Sequence, residues 1–311
     1  AKMYGLYPRK GTIAVGADAD IAIWDAEKKV TISIDMLHDD MDYTPYEGHE
    51  VTGWPIISMV RGTIVWNDGE VLAKPGDGKF LRCDARAESR TSCVNRMIEM
   101  MREAKSRGVR YMVFPELALT TFFPRWYMED WKEVETFFEK QMPTKEVLPL
   151  FEKAAEWGIG FYLGYAELTE DGHHFNTSIL VNDKGRIVGK YRKVHLPGHS
   201  EHEPQRPWQH LEKRYFEPGN LGFPVRRTMG GVMGMCICND RRWPETYRSM
   251  SLQGAEIISL GYNTPDENTS AFEPKHLRNF HNDLVVQASA YQNSCYVIAT
   301  AKAGIEEGVG M

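Results

Sequence analysis

The sequence predicts an α/β layered fold preceded by a small β-rich segment. Three observations carry this expectation. Strand-like and helix-like periods alternate from about residue 88 onward, the pattern of a layered α/β domain. Residues 1–82 instead hold short strand signals punctuated by glycine and proline, with no strong helical period. The change falls between Leu81-Arg82-Cys83 and Arg86-Ala87-Glu88, so the boundary is drawn at 82–87. A chain of 311 residues has room for two such parts.

In the first part, Asp20 to Trp24 reads as a strand and Val30 to Ile34 alternates like another. Thr63-Ile64-Val65-Trp66, then Asn67-Asp68-Gly69, then Glu70-Val71-Leu72 is a hairpin signal. In the second part, Val94, Met97, Ile98, Met101 and Ala104 follow helical spacing, with Gly108 as the stop. A strand follows over 111–114. A second helix is expected from Thr144 to Trp157, closed by Gly158, with Pro149 in its first turns. Strands over 159–166, 175–181 and 186–191 come next, with Asp171-Gly172 and Asn182-Asp183-Lys184-Gly185 as turns. Residues 195–224 are irregular and rich in His, Glu, Pro and Arg, a length often reserved for function. A strand ending at Ile237, a turn, a helix over about 244–253 and a strand over 256–260 complete the pattern.

Composition narrows the function classes. Hydrophobic residues at 42% and charged residues at 26% suit a soluble globular protein with a sizeable core. The net charge of −6, without a long basic run, argues against nucleic acid or an anionic membrane as partner. No apolar run is long enough to span a bilayer. Ala1-Lys2-Met3 is not a signal peptide, and without an initiator methionine the chain reads as starting inside a longer protein. The five cysteines are odd in number and unevenly spread, which fits reduced thiols in the cytoplasm. Cys236-x-Cys238 is the only close pair. A zinc site would want a second pair or clustered histidines, so no metal and no cofactor are expected.

The chemistry gathers at four strand ends. Cys238 meets the turn after an apolar strand, with a helix behind it whose positive end favours a thiolate. Glu116 follows the strand ending at Phe114, Lys193 and His195 follow the one ending near Tyr191, and Asn263 follows the one through Leu260. In open α/β sheets, reactive groups collect outside the carboxyl ends of strands. A cysteine, a glutamate and a lysine meeting there make a set for amide cleavage: nucleophile, proton carrier and oxyanion stabiliser. Periodicity does not choose between Cys236 and Cys238. A cysteine inside an apolar run is ordinarily a small core residue, and Cys238 is preferred because it meets the turn. Arg241-Arg242 reads either as a carboxylate grip or as a solvated helix start.

Three segments carry a resemblance: Phe114 to Trp126, Gly189 to Gly198 and Ile237 to Glu245. Together they resemble the nitrilase superfamily, and within it the N-carbamoyl-D-amino-acid amidohydrolases (D-carbamoylases), over about 86–311. The resemblance implies a nitrilase-like αββα sandwich with a metal-free Cys-Glu-Lys site. Carried over by motif, Cys238 is the nucleophile, Glu116 the general base and acid, and Lys193 the oxyanion stabiliser. Glu212 matches a second glutamate near the site, and His195, His210 and His281 match histidines that line or support the pocket. Arg241 and Arg242 match arginines that grip a substrate α-carboxylate, while Asn239 and Asn263 match polar pocket residues. The implied reaction hydrolyses an N-carbamoyl-D-amino acid, through a carbamoyl-enzyme, to the D-amino acid, ammonia and carbon dioxide. A small-molecule partner and a homo-oligomer are implied with it.

Residues 1–82 resemble something else. Gly5 to Asp20 and Asp42 to Gly48 look like the C-terminal part of a D-hydantoinase or dihydropyrimidinase. The upstream barrel with that family's metal ligands is not in this sequence, so no hydantoinase activity and no zinc are expected. A hydantoinase produces the N-carbamoyl amino acid that a carbamoylase consumes. The carbamoylase-like part departs from its family at both margins. Gly78 to Arg82 stands where a first strand is usual, and the sequence stops at Met311 where the family continues into further strands and an assembly tail. The sandwich is therefore expected to be truncated, and a catalytically incomplete fusion or fragment is one alternative. Another nitrilase-superfamily amidase, or a β-ureidopropionase-like enzyme, is the other.

Overall fold

The computed structural model describes residues 10–37, 42–78, 89–206, 208–265, 274–307 and 309–310. The chain divides into two compact units, Ala1–Ala87 and Glu88–Met311. The expected 82–87 boundary and Cys83 lie outside the described residues, as does most of Gly78 to Arg82.

The first unit is an antiparallel sheet of β1 (Ile21–Thr31), β2 (Glu50–Val60), β3 (Thr63–Asn67) and β4 (Glu70–Val71), in that order. The two strand signals expected at 20–24 and 30–34 fall on one strand that ends at Thr31; Ile34 instead opens a short 3-10 turn, Ile34–Met36. The register shifts between Asp25 and Lys29, where the Asp25 carboxylate accepts from the Glu27 and Lys28 backbone amides. Strand β2 escapes the sequence pattern because Gly53 and Pro55 interrupt its alternation. The β3–β4 hairpin closes as Asn67-Asp68-Gly69 predicts, with Asp68 and Gly69 both at positive φ (39° and 100°).

The second unit begins with α1 (Arg90–Ser106), whose N-cap Ser89 side chain accepts from the Ser92 amide. Its buried residues Cys93, Val94, Met97, Ile98, Met101 and Ala104 form one stripe. The first sheet has the order β5 (Tyr111–Val113), β7, β8, β9, with β6 (Phe138–Glu139) also pairing β7. Strand β8 (His174–Val181) is antiparallel to both β7 (Gly160–Leu168) and β9 (Ile187–Arg192), and β5 is parallel to β7. Short α2 (Trp131–Val134) precedes β6, and α3 (Leu148–Trp157) precedes β7. Helix α3 starts at Leu148, four residues later than expected. Residues 144–147 form a turn instead, and Pro149 occupies the first helical turn, where its missing N–H costs no hydrogen bond.

Within the irregular stretch lies a four-residue helix, α4 (Glu212–Tyr215). The second sheet has the order β10 (Arg226–Thr228), β11 (Gly231–Ile237), β12 (Ile257–Tyr262), β13 (Tyr296–Ala301). Helix α5 (Pro244–Leu252) links β11 to β12, and α6 (Lys275–Asn293) links β12 to β13. A hairpin of β14 (Ile305–Glu306) and β15 (Val309–Gly310) follows. Helix α6 was not legible in the sequence because its pattern is inverted. Its most buried residues include Arg278, Asn282 and Ser289, while Phe280, Leu284 and Tyr291 are exposed.

The layers are αββα. Helices α1 and α3 bury Met101, Leu150, Phe151 and Ala154 against Phe161, Leu163 and Ile179 of the first sheet. Tyr162, Leu180 and Tyr191 meet Met233, Met235 and Ile237 between the sheets, and Tyr247 and Met250 of α5 cover the far side. Every residue of β7 is buried, as a strand covered on both faces requires. This packing brings the carboxyl ends of β5, β9, β11 and β12 together. No described helix is long and apolar enough to cross a membrane.

Candidate active site

Glu116, Lys193 and Glu212 have no exposed side-chain surface, and Cys238 keeps 4%. The Lys193 ammonium donates to Glu116 Oε1 at 2.7 Å and to Glu212 Oε2 at 2.6 Å. The Cys238 sulfur and a carboxylate oxygen of each glutamate lie within 4.8 Å of one another. Four expected strand-end residues thus meet: Asn263 donates its backbone N–H to Glu116 Oε2 (3.1 Å), and its carbonyl accepts from the Cys238 thiol (3.7 Å).

Backbone geometry aims these groups. Cys238 is in the left-handed region (φ 47°) immediately after β11, and so is Leu117 (φ 47°) immediately after Glu116. Such non-glycine residues cost of order 1–3 kcal/mol and persist only where their surroundings hold them. The Glu116 turn is held by glycines. A Cβ on Gly164 of β7 would lie 2.9 Å from Glu116 Cα, and one on Gly261 of β12 would lie 2.8 Å from the Glu116 amide nitrogen. Lys193 is tied down by backbone bonds to Asn176 (2.8 Å) and from Gly219 (2.8 Å).

The two glutamates are driven apart electrostatically. Burial raises the Glu116 carboxyl above the ordinary glutamate range; Lys193 opposes the rise and Glu212 adds to it. Burial also works against an ionised Glu212, but Lys193 and His210 outweigh it, and Glu212 ends below that range. Burial alone would disfavour the Lys193 ammonium, yet its neighbours Cys238, Glu116 and Glu212 outweigh burial and hold it charged. The Cys238 thiol is pushed up to about 11, first by burial and then by Glu116, against the pull of Lys193 and Arg241. The helix-favoured thiolate expected from sequence is therefore outweighed, and the sulfur rests as a thiol. Paired acids with separated affinities are the arrangement that lets one shuttle a proton while the other keeps its charge.

A cavity of about 380 Å³ opens above the sulfur. Cys238, Asn239, Arg241, Arg242, Asn263 and His210 line it, together with His199, Glu203, Arg206, Thr264 and Arg278. The two adjacent arginines are placed differently. Arg241 is buried and engaged: it donates to the Cys238 carbonyl (2.7 Å), Thr264 (3.0 Å) and Asn282 (2.5 Å). Arg242 is exposed in the cavity wall and has no hydrogen bond or ion pair with a described residue. The Asn263 Oδ1 is buried and has no hydrogen-bond partner among the described residues.

His210 bonds Glu212 (3.0 Å) and lines the cavity. His195 lies behind the site, with Nδ1 2.8 Å from Asp240 and its ring stacked on Trp243. Asn239 donates to the His195 carbonyl (3.0 Å). His281 is on α6 beside Asn282, and does not line this cavity. Cys236 is fully buried mid-strand and takes no part in the Glu116–Glu212–Cys238 group. That group is the one set among the described residues with metal-ligand spacing, and a cation, Lys193, already lies on both its carboxylates.

Two important residues carried no role in the sequence reading. Asn176 donates to Glu116 Oε1 at 2.8 Å and reaches Glu212 at 3.5 Å. Its signal was the polar run Asn176-Thr177-Ser178 inside an otherwise apolar strand, since buried polar groups must find partners. Asp240 is the other, a carboxylate two residues past the cysteine with no exposed surface.

Known proteins match the two units separately. The family described as carbon-nitrogen hydrolase matches residues 81–311, and the amidohydrolase family matches residues 1–65. An N-carbamoylputrescine amidase of Arabidopsis thaliana is 28% identical over 67% of this chain and 64% of its own length. A D-hydantoinase of Ralstonia pickettii is 48% identical over 26% of this chain; the chain spans only 18% of that relative. A carbon-nitrogen hydrolase from Helicobacter pylori G27 shares the fold with a TM-score of 0.60, at 23% identity over 71% of each chain.

Proposed function

The chain belongs to the carbon-nitrogen hydrolase family, and from that premise we propose that it hydrolyses N-carbamoyl-D-amino acids to the D-amino acid, ammonia and carbon dioxide. The observation that carries this reading is a buried thiol, a raised carboxyl and a held ammonium meeting under a cavity that presents an unengaged arginine, Arg242.

In the proposed reaction, Cys238 Sγ forms a bond to the carbamoyl carbon as its proton passes to Glu116. The Lys193 ammonium faces the developing oxyanion. Glu116 then returns the proton to the amino-acid nitrogen as that C–N bond breaks, leaving an S-carbamoyl cysteine. Water then attacks the same carbon as one of its protons passes to Glu116; the C–S bond breaks, Glu116 returns that proton to the Cys238 sulfur, and the released carbamic acid decays to ammonia and carbon dioxide. With the thiol pushed up to about 11, its proton passes to Glu116 as the bond forms. Glu212 stays ionised and keeps Lys193 in place. The Asn263 Oδ1 offers an acceptor for the carbamoyl N–H groups.

Cavity charge separates this reading from amidase action on a cationic carbamoyl compound. Among the described residues, Arg206, Arg241, Arg242 and Arg278 line the space against one carboxylate, Glu203, which suits a substrate α-carboxylate better than an ammonium. The D preference comes from the resemblance of the Cys238 and Glu116 motifs. The test is ammonia release from N-carbamoyl-D-alanine, its L enantiomer and N-carbamoylputrescine, by the protein and by Cys238→Ala. Faster turnover of N-carbamoylputrescine would replace the substrate assignment. Equal rates with and without the thiol would remove Cys238 as nucleophile.

A further inference from the structure

Asp240 is buried with no exposed surface, and its carboxylate accepts four hydrogen bonds. Oδ2 takes the Tyr191 hydroxyl (2.7 Å) and the Ile237 amide (3.0 Å). Oδ1 takes the His195 amide (2.9 Å) and His195 Nδ1 (2.8 Å). These donors are not scattered. Ile237 immediately precedes Cys238 in the chain, while Tyr191 and His195 stand two residues before and two residues after Lys193. One carboxylate therefore ties the nucleophile turn of the second sheet to both flanks of the lysine at the end of the first.

The arrangement answers a specific need. Cys238 is held at φ 47°, which a cysteine does not adopt unless its surroundings enforce it. Its side-chain hydrogen bonds to described residues are long, to Asn263 O (3.7 Å) and Arg241 (3.8 Å). The amide before it is fixed by Asp240, which closes a short loop over Ile237–Asp240. Only a carboxylate accepts from four donors with both oxygens; an asparagine would set an NH₂ group against two of them.

We propose that Asp240 is a positioning residue, setting the separation of Cys238 and Lys193 by clamping both turns to one buried carboxylate. This rests on Cys238 as the nucleophile. Asp240 touches no reacting atom, so it acts on orientation, where a misplacement of about 1 Å can cost about 10²-fold in rate.

The experiment compares Asp240→Asn and Tyr191→Phe with the unaltered protein. It reads kcat and KM for N-carbamoyl-D-alanine and the pH profile of Cys238 alkylation by iodoacetamide, mapped by mass spectrometry. In Asp240→Asn, kcat is expected to fall about 10²-fold with KM within about twofold. The alkylation midpoint of Cys238 should move down relative to the unaltered protein as the sulfur leaves its held position, while buried Cys236 stays unreacted. Tyr191→Phe removes one donor and keeps the ring, and should lower kcat about tenfold. An unchanged kcat and alkylation profile in Asp240→Asn overturns the proposal. Should that variant fail to unfold cooperatively, an unchanged kcat in Tyr191→Phe overturns it. Should Cys238→Ala prove as active as the unaltered protein, the nucleophile assignment falls instead, and the alkylation profile still decides whether Asp240 holds the turn.

Discussion

Glu116 and Glu212 are two fully buried carboxylates that share a single cation, Lys193 Nζ, at 2.7 and 2.6 Å. Their surroundings separate them: one is raised above the ordinary glutamate range and the other is lowered. This asymmetry within one short cluster organises the expected behaviour of the site.

Lys193→Met keeps much of the side-chain volume and removes the charge. Two carboxylates would then be left buried without their cation. Breaking a buried pair from one side typically costs about 3–5 kcal/mol. Urea unfolding should show a loss of that order, or protonation of a glutamate in its place, and turnover should vanish in either case.

The acid limb of kcat/KM reports the free enzyme's base. Because burial raises Glu116, activity should fall as pH drops through a value above the ordinary glutamate range. A limb at or below that range would show that another group takes the thiol proton. In Glu116→Gln the limb should disappear, with the residual rate lower by about 10²–10⁴.

Arg242 and Arg241 should fail differently. Arg242→Ala removes a cation from the cavity wall, so KM should rise about tenfold or more at little change in kcat. Arg241→Ala unhooks the Cys238 carbonyl, Thr264 and Asn282, so kcat should fall and thermal stability should drop. Equal KM effects would mean that both arginines grip the substrate.

Gly164→Ala places a methyl group 2.9 Å from Glu116 Cα and from the Pro115 carbonyl. Backbone has to shift to admit it, at about 1–3 kcal/mol. The shift displaces Glu116, the proposed proton carrier, so kcat should drop further than stability alone explains. Differential scanning calorimetry with steady-state kinetics on the same preparation checks this.

Glu306 anchors the segment that follows Glu116. Its side chain accepts from the Phe122 amide (3.1 Å) and pairs with Lys302 (2.6 Å) and buried Arg125 (3.0 Å). Burial opposes its charge, but Lys302 and Arg125 outweigh burial and lower its pKa. A carboxylate lowered on folding contributes stability above its unfolded pKa and loses it as pH falls through the folded value. The unaltered protein should therefore lose more stability between neutral and acid pH than Glu306→Gln does. Parallel stability–pH curves would contradict this role.

Much of the site was legible because each strand-end residue announces itself locally. An apolar run stops, a polar turn begins, and Cys238, Glu116, Lys193 and Asn263 stand just beyond. The α/β layering was legible too from alternating periods, and its αββα order from the motif resemblance. Helix α6 was not, because the residues it buries include Arg278 and Asn282, and its large apolar side chains face outward. Strand β2 was hidden by Gly53 and Pro55, which break its alternation.

By itself the sequence determined which residues could do chemistry, since residue type and the end of a strand are both written along the chain. It also determined that Cys238 rather than Cys236 meets the turn. Only the tertiary structure decided their surroundings, and so the direction in which each is shifted. A thiol pushed to about 11 against the expected helix effect, two glutamates shifted in opposite directions, and adjacent arginines of which one is engaged and one is not all follow from burial and from neighbours distant in sequence. Desolvation and Coulomb energy depend on what surrounds a group in space, and that is set only when the two sheets close on each other.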